Sequence, residues 1–286
     1  MNKPLIFGIG EIVWDCLPSG KKLGGAPVNF AYYAGKLGAE SYPVSAVGKD
    51  TLGDETLECC KNYGLDTRFI VRNDKPTSRV LVKLDDSGIP QYEILEGVAW
   101  DGLEASEGVL SAISRSDAIC WGSLAGRSDG SSRAISAMVA ATSPDCMRVF
   151  DINLRQHYYS GDRIAASLEA ATALKLNEDE LPVLQRLFPL PDTPEQAIQA
   201  IVDKWNLEYV IYTCGAAFSE IHTAEGLVSH IETPKVKVAD TVGAGDSFTA
   251  AFITSILSGK NISEAHQAAV ALAAKVCSRP GAIIEI

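Results

Sequence analysis

The sequence predicts an α/β protein with a mostly parallel central sheet and a small second β-sheet. Short apolar runs alternate with helical patterns along most of the 286 residues, which is typical of parallel strands covered by helices. Residues 79–95 break this rhythm with two alternating segments around a turn. Because no internal repeat, low-complexity tract or linker interrupts the chain, we predict one domain over residues 1–286. The small sheet would be inserted from approximately residues 12–25 and 76–98.

The N-terminal part opens this strand–helix repeat. Leu5–Trp14 reads LIFGIGEIVW, an apolar run that predicts a buried first strand. The pattern then predicts a loop, a helix, a strand and a second helix, over residues 18–22, 28–37, 42–47 and 51–63. Gly38 and Gly64 follow the two helical patterns directly, at the position where glycine commonly ends a helix.

The segment that breaks the rhythm predicts a β-hairpin. Arg79–Leu84 (RVLVKL) and Gln91–Leu95 (QYEIL) both alternate, and Asp85–Gly88 between them is a turn sequence. A hairpin of this length is marginally stable alone, and no helical pattern adjoins it closely. We expect it to pack on a bound ligand, on residues 15–25 or on a second subunit.

After Trp100 the strand–helix repeat continues to the end of the chain. The predicted strands are Ala118–Trp121, Arg148–Asp151, Ala173–Leu176 and Tyr209–Thr213. The predicted helices are Ser131–Ala141, Ile164–Ala171, Leu181–Leu187, Pro194–Trp205, Gly245–Leu257 and Ser263–Cys277. Val236 and Val238 form a short strand pattern just before the helix at 245–257. The alternation predicts helices on both faces of the sheet.

Composition and charge narrow the function classes. Apolar residues make up 47% of the chain and charged residues 21%, which is ordinary for a globular protein and too apolar for disorder. The formal net charge of −11 repels nucleic acid and anionic membranes, so we expect neither as a partner. No run of 18 apolar residues occurs, so no membrane-spanning helix is expected.

The cysteines and histidines predict neither a disulfide framework nor a zinc site. The seven cysteines are an odd number without a Cys-x-x-Cys pair, and the four histidines lack metal-ligand spacing. The N-terminus runs into the first strand pattern without the basic region and cleavage site of a signal peptide. These features predict a reducing, cytoplasmic location.

The nine residues Asp240–Phe248 (DTVGAGDSF) carry the clearest chemical signal. Small residues let the backbone approach a ligand, and the loop leads into a helical pattern whose first N–H groups attract an anion. Asp246 is the acid inside this turn. A carboxylate beside an anion-binding turn suits removal of a proton from a hydroxyl that attacks a phosphoryl group. The alternative is that Asp246 is an ordinary acid of a first helical turn.

This string resembles the C-terminal signature DTxGAGDxF of the ribokinase (PfkB) family of carbohydrate kinases. Further segments follow in the family's order and resemble its GGxxxNxA, VGxDxxG, DxNxR, NxxE and TxG segments: GGAPVNFA at 24–31, VGKD at 47–50 with Gly53, DINLR at 151–155, NEDE at 177–180 and TCG at 213–215. The resemblance covers nearly all of the chain. It implies a ribokinase-like three-layer α/β sandwich in which the small sheet is a lid over a sugar.

The resemblance also implies which residues perform the chemistry. Asp246 would be the general base that accepts the proton of the sugar hydroxyl. The backbone N–H groups of Gly243, Ala244 and Gly245 would stabilise the charge on the transferred phosphoryl group.

By the same resemblance, the sugar would be held by Asp15, Gly24, Gly25 and Asn29. A carboxylate and a carboxamide suit sugar hydroxyls, which both donate and accept hydrogen bonds. Arg155 would contact either phosphate or sugar. The alternatives are that Asp15 is a surface acid and that Asn29 is a plain helix cap.

The ATP-binding site would be lined by Asn177, Thr213 and Gly215. Glu180 would hold Mg²⁺ through water, which is adequate because Mg²⁺ keeps several of its waters. The alternative for residues 177–180 is a solvated acidic start of a helix. Asp240, the carbonyl of Val242 and Gly281 fall where family members bind a monovalent cation such as K⁺. Val242 replaces a frequent threonine, and its backbone role is expected to survive.

The function implied is ATP- and Mg²⁺-dependent phosphorylation of a small sugar, with fructose to fructose 6-phosphate as the leading reaction. GGAPVNFAYYAGKLGA and PTSRVLVKLDDSG look more like fructokinases than ribokinases. Ribose, 2-keto-3-deoxygluconate and nucleosides are the alternative substrates, and a kinase for a non-sugar alcohol or a non-catalytic sugar-binding relative are the alternative classes. Because lid edges often pair in this family, a homodimer through the lid is also expected.

Overall fold

The computed structural model describes residues 3–17, 20–84 and 90–286. Its strands are β1 (Leu5–Ile9), β2 (Val13–Leu17), β3 (Gly20–Gly24), β4 (Glu40–Gly48), β5 (Ile70–Asn73), β6 (Arg79–Leu84), β7 (Pro90–Ile94), β8 (Ala118–Gly122), β9 (Met147–Asp151), β10 (Ala173–Asn177), β11 (Tyr209–Cys214), β12 (Phe218–Thr223) and β13 (Gly226–Glu232). Its α-helices are α1 (Ala26–Lys36), α2 (Thr51–Asn62), α3 (Glu107–Ile113), α4 (Asp129–Ala140), α5 (Gly161–Ala170), α6 (Leu181–Leu187), α7 (Pro194–Trp205), α8 (Ala244–Leu257) and α9 (Ile262–Cys277). Short 3₁₀ turns lie at Ala99–Gly102 and Leu124–Gly126.

The central sheet has the strand order β13-β12-β11-β10-β9-β8-β1-β4-β5. The strands from β11 to β5 pair in parallel, whereas β12 and β13 extend one edge with antiparallel pairing. From β1 the chain proceeds to β4 and β5 on one side and later returns to the other side of β1 as β8. This reversal is a topological switch point, and in open parallel sheets ligands bind beyond the carboxyl ends of the strands at such a point.

Helices cover both faces of the sheet and complete three layers. On one face α1, α2, α8 and α9 pack around a core that includes Phe30 and Phe252. On the other face α3 to α7 pack around a core that includes Phe150 and Leu168. The predicted mostly parallel sheet with helices on both faces is therefore confirmed.

The helix N-termini fall into two groups. Five helices (α2, α3, α4, α5 and α9) begin after a residue whose side chain accepts a first-turn N–H: Asp50, Ser106, Ser128, Ser160 and Asn261. The other four helices have no such side-chain cap: α6 and α7 begin after Glu180 and Thr193, and α1 and α8 begin after Gly25 and Gly243, which offer no side chain. The two helices that begin after glycine lie on the same face of the sheet and pack against each other.

The second sheet has the strand order β3-β2-β6-β7. Strands β6 and β7 pair antiparallel, which confirms the strands of the predicted hairpin, whereas its turn at 85–88 lies outside the described residues. One face of this sheet covers a small core that contains Val13, Val80 and Trp100. On β2, Trp14 Nε1 donates a 2.8 Å hydrogen bond to Thr56 Oγ1 of α2, which anchors the small sheet to the main layers.

Three local predictions were wrong. The run Leu5–Trp14 is not one strand, because the chain leaves the central sheet after Ile9 and Val13 begins a strand of the small sheet. The predicted loop at 18–22 overlaps strand β3, and Pro18 and Ser19 lie outside the described residues. Val236 and Val238 form no strand; they are exposed beside a cavity, so their alternation does not reflect sheet pairing. Helix α3 and strands β5, β12 and β13 were not predicted from the sequence.

Candidate active site

Two charged residues meet at the carboxyl ends of neighbouring strands. Lys175 of β10 pairs in register with Asp151 of β9. Lys175 Nζ lies 3.5 Å from Asp151 Oδ1, and both side chains are more than nine-tenths buried. Burial alone would favour the neutral form of either group. The negative charges of Asp151 and other nearby acids nevertheless keep the pKa of Lys175 above its ordinary value. The raised pKa of Lys175 favours its charged ammonium form although the side chain is buried.

The start of α8 lies directly above this lysine. Gly243 has φ 80°, and a β-carbon there would lie 2.5 Å from the carbonyl oxygen of Ala282, so only glycine fits this turn. A β-carbon at Gly245 would lie 3.2 Å from Lys175 Nζ. The N–H of Ala244 donates to the carbonyl of Thr241 at 3.3 Å, so the N–H groups of Gly243 and Gly245 are the ones left open beside the ammonium of Lys175. Such a place binds an anion such as phosphate.

Asp246 lies in the first turn of α8 and is held by a residue from a distant part of the chain. Asn29 Nδ2 of α1 donates a 2.7 Å hydrogen bond to Asp246 Oδ2. Burial raises the pKa of Asp246 above its usual value, and the bond from Asn29 and the charges of Lys175 and Arg155 act in the lowering direction. Asn29 lies inside α1, whose cap is Gly25, so the alternative of Asn29 as a plain helix cap is excluded.

Among the predicted sugar residues, Asn29 contacts Asp246, whereas Asp15 and Gly24 lie together in the small sheet. Asp15 of β2 lies beside Gly24, where a β-carbon would be 3.2 Å from Asp15 Oδ2. Burial raises the pKa of the Asp15 carboxyl, and the charge of Arg155 opposes this shift. Asn29 Oδ1 is buried without a hydrogen-bond partner among the described residues, which leaves it available as an acceptor.

Arg155 is exposed and its Nη1 donates to the carbonyl of Leu154 at 3.0 Å. Burial raises the pKa of both Asp15 and Asp246, and the charge of Arg155 acts against this in each case. Arg155 is therefore near enough to act on both carboxylates.

A cavity of about 610 Å³ adjoins the start of α8. Its walls include the three residues predicted to line ATP, Asn177, Thr213 and Gly215, together with Lys175 and Gly245. The rest of the wall is largely apolar: Phe218, Val236, Val238, Val270 and Ala273. A cavity with one apolar end and one anion-binding end suits a nucleotide.

In the acidic segment 177–180 Glu178 and Asp179 are exposed, but Glu180 is not a solvated acid. Glu180 is buried; its Oε1 accepts the N–H of Leu154 at 3.0 Å and its Oε2 accepts the N–H of Asn177 at 2.8 Å. Asn177 Oδ1 accepts the N–H groups of Asp179 and Glu180. Because these oxygens already have partners, Glu180 and Asn177 fit a hydrated Mg²⁺ better than a directly coordinated one. Within the described residues, no group of three His, Cys, Asp or Glu side chains converges as a metal site.

The three residues predicted to bind a monovalent cation come together. Asp240 Oδ1 accepts the N–H of Val242 at 3.1 Å, and Asp240 Oδ2 accepts the N–H of Gly281 at 2.9 Å. The carboxylate thus joins the loop before α8 to the C-terminal segment.

Sequence reasoning assigned no role to Lys175, Asp151 or Glu11, all of which the structure places at this site. Lys175 had a visible signal, because it is a lysine inside the otherwise apolar run ALKL of a strand that is buried on both faces. Asp151 was part of the DINLR segment, but its distance from Lys175 depends on strand register. Glu11 follows β1 and is 3% exposed.

The described part of the chain contains no helix that is both long and apolar enough to cross a membrane. Curated relatives match most of the chain. A sugar kinase of Pyrococcus horikoshii is 26% identical over 280 residues, covering 90% of this chain and 86% of the relative. The fructokinase of Escherichia coli is 26% identical over 273 residues, covering 88% and 84%. A 5-dehydro-2-deoxygluconokinase of Clostridium beijerinckii is 24% identical over 280 residues, covering 93% and 82%.

Solved structures share the fold. The fructokinase of Xylella fastidiosa, solved with bound ATP, has a TM-score of 0.84 at 20% identity and covers 98% of this chain and 94% of its own. A ribokinase II of Escherichia coli, solved with ATP and Mg²⁺, has a TM-score of 0.83 at 23% identity and covers 99% and 94%. Residues 17–286 match the family described as "pfkB family carbohydrate kinase". With the predicted resemblance and fold confirmed, the chain belongs to the PfkB family of carbohydrate kinases.

Proposed function

We propose that this kinase transfers the γ-phosphoryl group of ATP to a hydroxyl of a small neutral sugar, with fructose to fructose 6-phosphate as the leading reaction. The observation that carries the proposal is the position of Asp246. Its carboxylate is held by Asn29 at the start of α8, between the predicted sugar residues and the 610 Å³ cavity. A base between an acceptor site and a nucleotide site is what phosphoryl transfer requires.

In the proposed reaction the sugar hydroxyl oxygen attacks the γ-phosphorus, and the bond from that phosphorus to the β,γ-bridging oxygen breaks. ADP leaves with the bridging oxygen, and the hydroxyl proton passes to Asp246. The bond from Asn29 fixes Asp246 Oδ2 and leaves Oδ1 for the proton. The raised pKa of the Asp246 carboxyl makes it a stronger base than an exposed aspartate.

Charge on the transferred group would be stabilised by the first N–H groups of α8 and by Lys175. These donors are fixed by the helix and by the buried pair with Asp151, so they need no rearrangement as charge develops. Lys175 lies 3.2 Å from the β-carbon position of Gly245, within reach of a phosphate seated on that turn.

Mg²⁺ would neutralise phosphate oxygens when bound. Asn177 and Glu180 would orient its waters. Asp151 Oδ1 is buried without a hydrogen bond among the described residues, and Asp151 lines a small pocket together with Asp246. A monovalent cation would be held by the carbonyl of Val242 in the loop that Asp240 ties to Gly281.

A neutral sugar suits the acceptor side because its groups are acidic or neutral. Asp15 and the free Asn29 Oδ1 are hydrogen-bond acceptors for hydroxyls, and Arg155 is the cation nearest to them. The fructokinase relative supports fructose. The 5-dehydro-2-deoxygluconokinase relative supports a keto-acid sugar as the second candidate, with Arg155 contacting its carboxylate. Ribose and nucleosides are the remaining candidate substrates.

Other features of the proposal concern assembly and location. Strands β3 and β7 are the edges of the small sheet, and we propose that one of them pairs in a homodimer. The small sheet would act as a lid over the sugar. The predicted cytoplasmic location and the domain limits of 1–286 remain predictions.

A coupled assay of ADP release tests the proposal. Purified protein with ATP and Mg²⁺ is given fructose, ribose, 2-keto-3-deoxygluconate or a nucleoside, and Asp246→Asn serves as the matched control. Fructose-dependent turnover with phosphate on the 6-hydroxyl, abolished in the control, is the expected result. If the protein prefers another sugar, that sugar replaces fructose as the proposed substrate. Binding without turnover in the wild type would instead favour a non-catalytic sugar-binding protein.

A further inference from the structure

We propose that Glu11 is a positioning residue of the acceptor site. From the end of β1 it supplies the N-terminal cap that α1 lacks, and it thereby fixes the Gly24–Asn29 segment. The roles of Asn29 and Asp246 in this inference rest on the proposed function, but the cap itself does not.

The free N–H groups of α1 show why a cap from elsewhere is needed. Gly25 has no side chain to offer and Pro27 has no N–H. The N–H groups of Val28 and Asn29 donate to the carbonyl of Gly25 at 3.1 and 3.0 Å. This leaves the N–H of Ala26, which donates to Glu11 Oε1 at 3.3 Å. A carboxylate at this position also opposes the positive end of the helix dipole.

The two segments are also packed without clearance. Gly25 has φ 120°, and a β-carbon there would lie 2.4 Å from the carbonyl oxygen of Glu11. The backbone at Glu11 therefore sets how closely the Gly24–Asn29 segment can approach β1. A change in the Glu11 side chain therefore acts on the Gly24–Asn29 segment, which is already in tight contact with the backbone at Glu11.

A short path leads from this cap to the base. Asn29 lies in the first turn of α1, one turn beyond Ala26, and its amide holds Asp246 at 2.7 Å. Gly24, on the other side of Ala26, lies beside Asp15. Loss of the cap would therefore loosen both the sugar contacts and the orientation of the base, while the nucleotide cavity on the other side of α8 has no contact with Glu11.

Burying the Glu11 carboxyl costs free energy, which an apolar residue in a purely structural role would not cost. Glu11 is 3% exposed, and its Oε2 has no hydrogen-bond partner among the described residues. Burial raises the pKa of its carboxyl to about 7, with Arg155 acting to lower it and Asp246 to raise it. The thiol of Cys120 also lies in this charged region. The retained carboxylate supports a role in the site.

The test compares Glu11→Ala, Glu11→Gln and a control, Ser45→Ala. Glutamine keeps an oxygen for the N–H of Ala26, whereas alanine removes it. Ser45 Oγ donates to the carbonyl of Gly10 at 2.7 Å, so the control removes a buried hydrogen bond next to Glu11 without touching α1. Hydrogen exchange of the Ala26 amide is measured in protein without sugar or ATP, and KM for sugar and for ATP is measured with each substrate varied.

Glu11→Ala should speed exchange at Ala26 and raise KM for sugar, each about tenfold, with KM for ATP within about twofold. Glu11→Gln should restore both values to within about threefold, and Ser45→Ala should leave both near wild type. Unchanged exchange at Ala26 in Glu11→Ala overturns the cap, as does an equal effect in Ser45→Ala. A wild type without sugar-dependent turnover would instead overturn the proposed function, and the exchange measurement would still decide the cap.

Discussion

The two halves of the proposed active site are built in different ways. The proposed nucleotide half is a 610 Å³ cavity at the carboxyl ends of adjacent parallel strands β10 and β11, closed by α8 and α9. The proposed acceptor half combines β2, the turn before α1, the loop after β9 and the start of α8, and its key hydrogen bond joins Asn29 to Asp246 across 217 residues. The first half depends on sheet geometry and the second on long-range packing. A substitution in one half should therefore affect the binding of one substrate and leave the binding of the other nearly unchanged.

The largest effect is expected where the halves meet. Asp246→Asn keeps the shape and the contact with Asn29 but removes the base, so kcat should fall by about 10²- to 10⁴-fold. Both KM values should stay within a few-fold of wild type, since neither half is dismantled. Steady-state kinetics with sugar and ATP varied separately measure this. An Asp246→Asn enzyme that turns over within a few-fold of wild type would remove Asp246 from the mechanism.

The next largest effect concerns the acceptor half, where buried Glu11 should make the free energy of unfolding depend on pH. The folded pKa of Glu11 is about 7 against an ordinary 4.5, so between these values the folded state binds more protons than the unfolded state. Stability from this group is therefore lost as pH rises from about 4.5 to 7, by on the order of 3 kcal/mol. Relative to wild type, Glu11→Gln should gain stability by this amount between pH 5 and pH 8.

Urea unfolding of both proteins at each pH checks this, and the difference between them cancels the groups they share. The control Ser45→Ala, which removes a buried hydrogen bond beside Glu11 but no titratable group, should show no such pH-dependent gain. If the difference between wild type and Glu11→Gln stays flat from pH 5 to pH 8, the Glu11 carboxyl is not buried as described.

Substrate-specific effects should then separate the halves kinetically. Asp15→Ala leaves sugar hydroxyls without a buried partner, a loss of about 1–3 kcal/mol, or roughly 5- to 150-fold in KM for sugar. KM for ATP should barely change. Thr213→Ala, in the wall of the nucleotide cavity, should show the reverse pattern with a smaller effect. The opposite ordering would place Asp15 outside the sugar site.

The same division explains what the sequence could predict. Local strings such as DTVGAGDSF predicted the anion-binding turn, because a glycine-rich loop and a helix start are encoded within a few residues. The strand–helix repeat likewise predicted the sheet. The pair of Lys175 and Asp151 could not be predicted, because it arises from the register of two strands 24 residues apart in sequence. Glu11 caps a helix that begins 15 residues later, which no local capping rule contains.

The errors in the predicted elements have a related cause. Val236 and Val238 alternate as a strand does, yet they pair with nothing and form part of the apolar wall of the nucleotide cavity. Leu5–Trp14 is apolar at most positions because β1 is buried in one sheet and Trp14, from another sheet, is buried against α2. Apolar patterns record burial, and burial against a ligand cavity or a second sheet looks the same in sequence as burial in one strand.

The smallest effect concerns the lid, where the acceptor half reaches furthest from the core. Strand β7 is an edge of the small sheet, and β6 joins it to β2, whose Trp14 is bonded to Thr56 of α2. If the sheet covers the sugar, saturating sugar should slow hydrogen exchange of the β6 and β7 amides by several-fold, and ATP alone should slow it less, because closure excludes water from the acceptor side. The amides of residues 213–215 provide the opposite control, protected by ATP and not by sugar. Sugar that protects residues 26–29 but leaves β6 and β7 unchanged would mean that these strands are a structural or dimer-forming element.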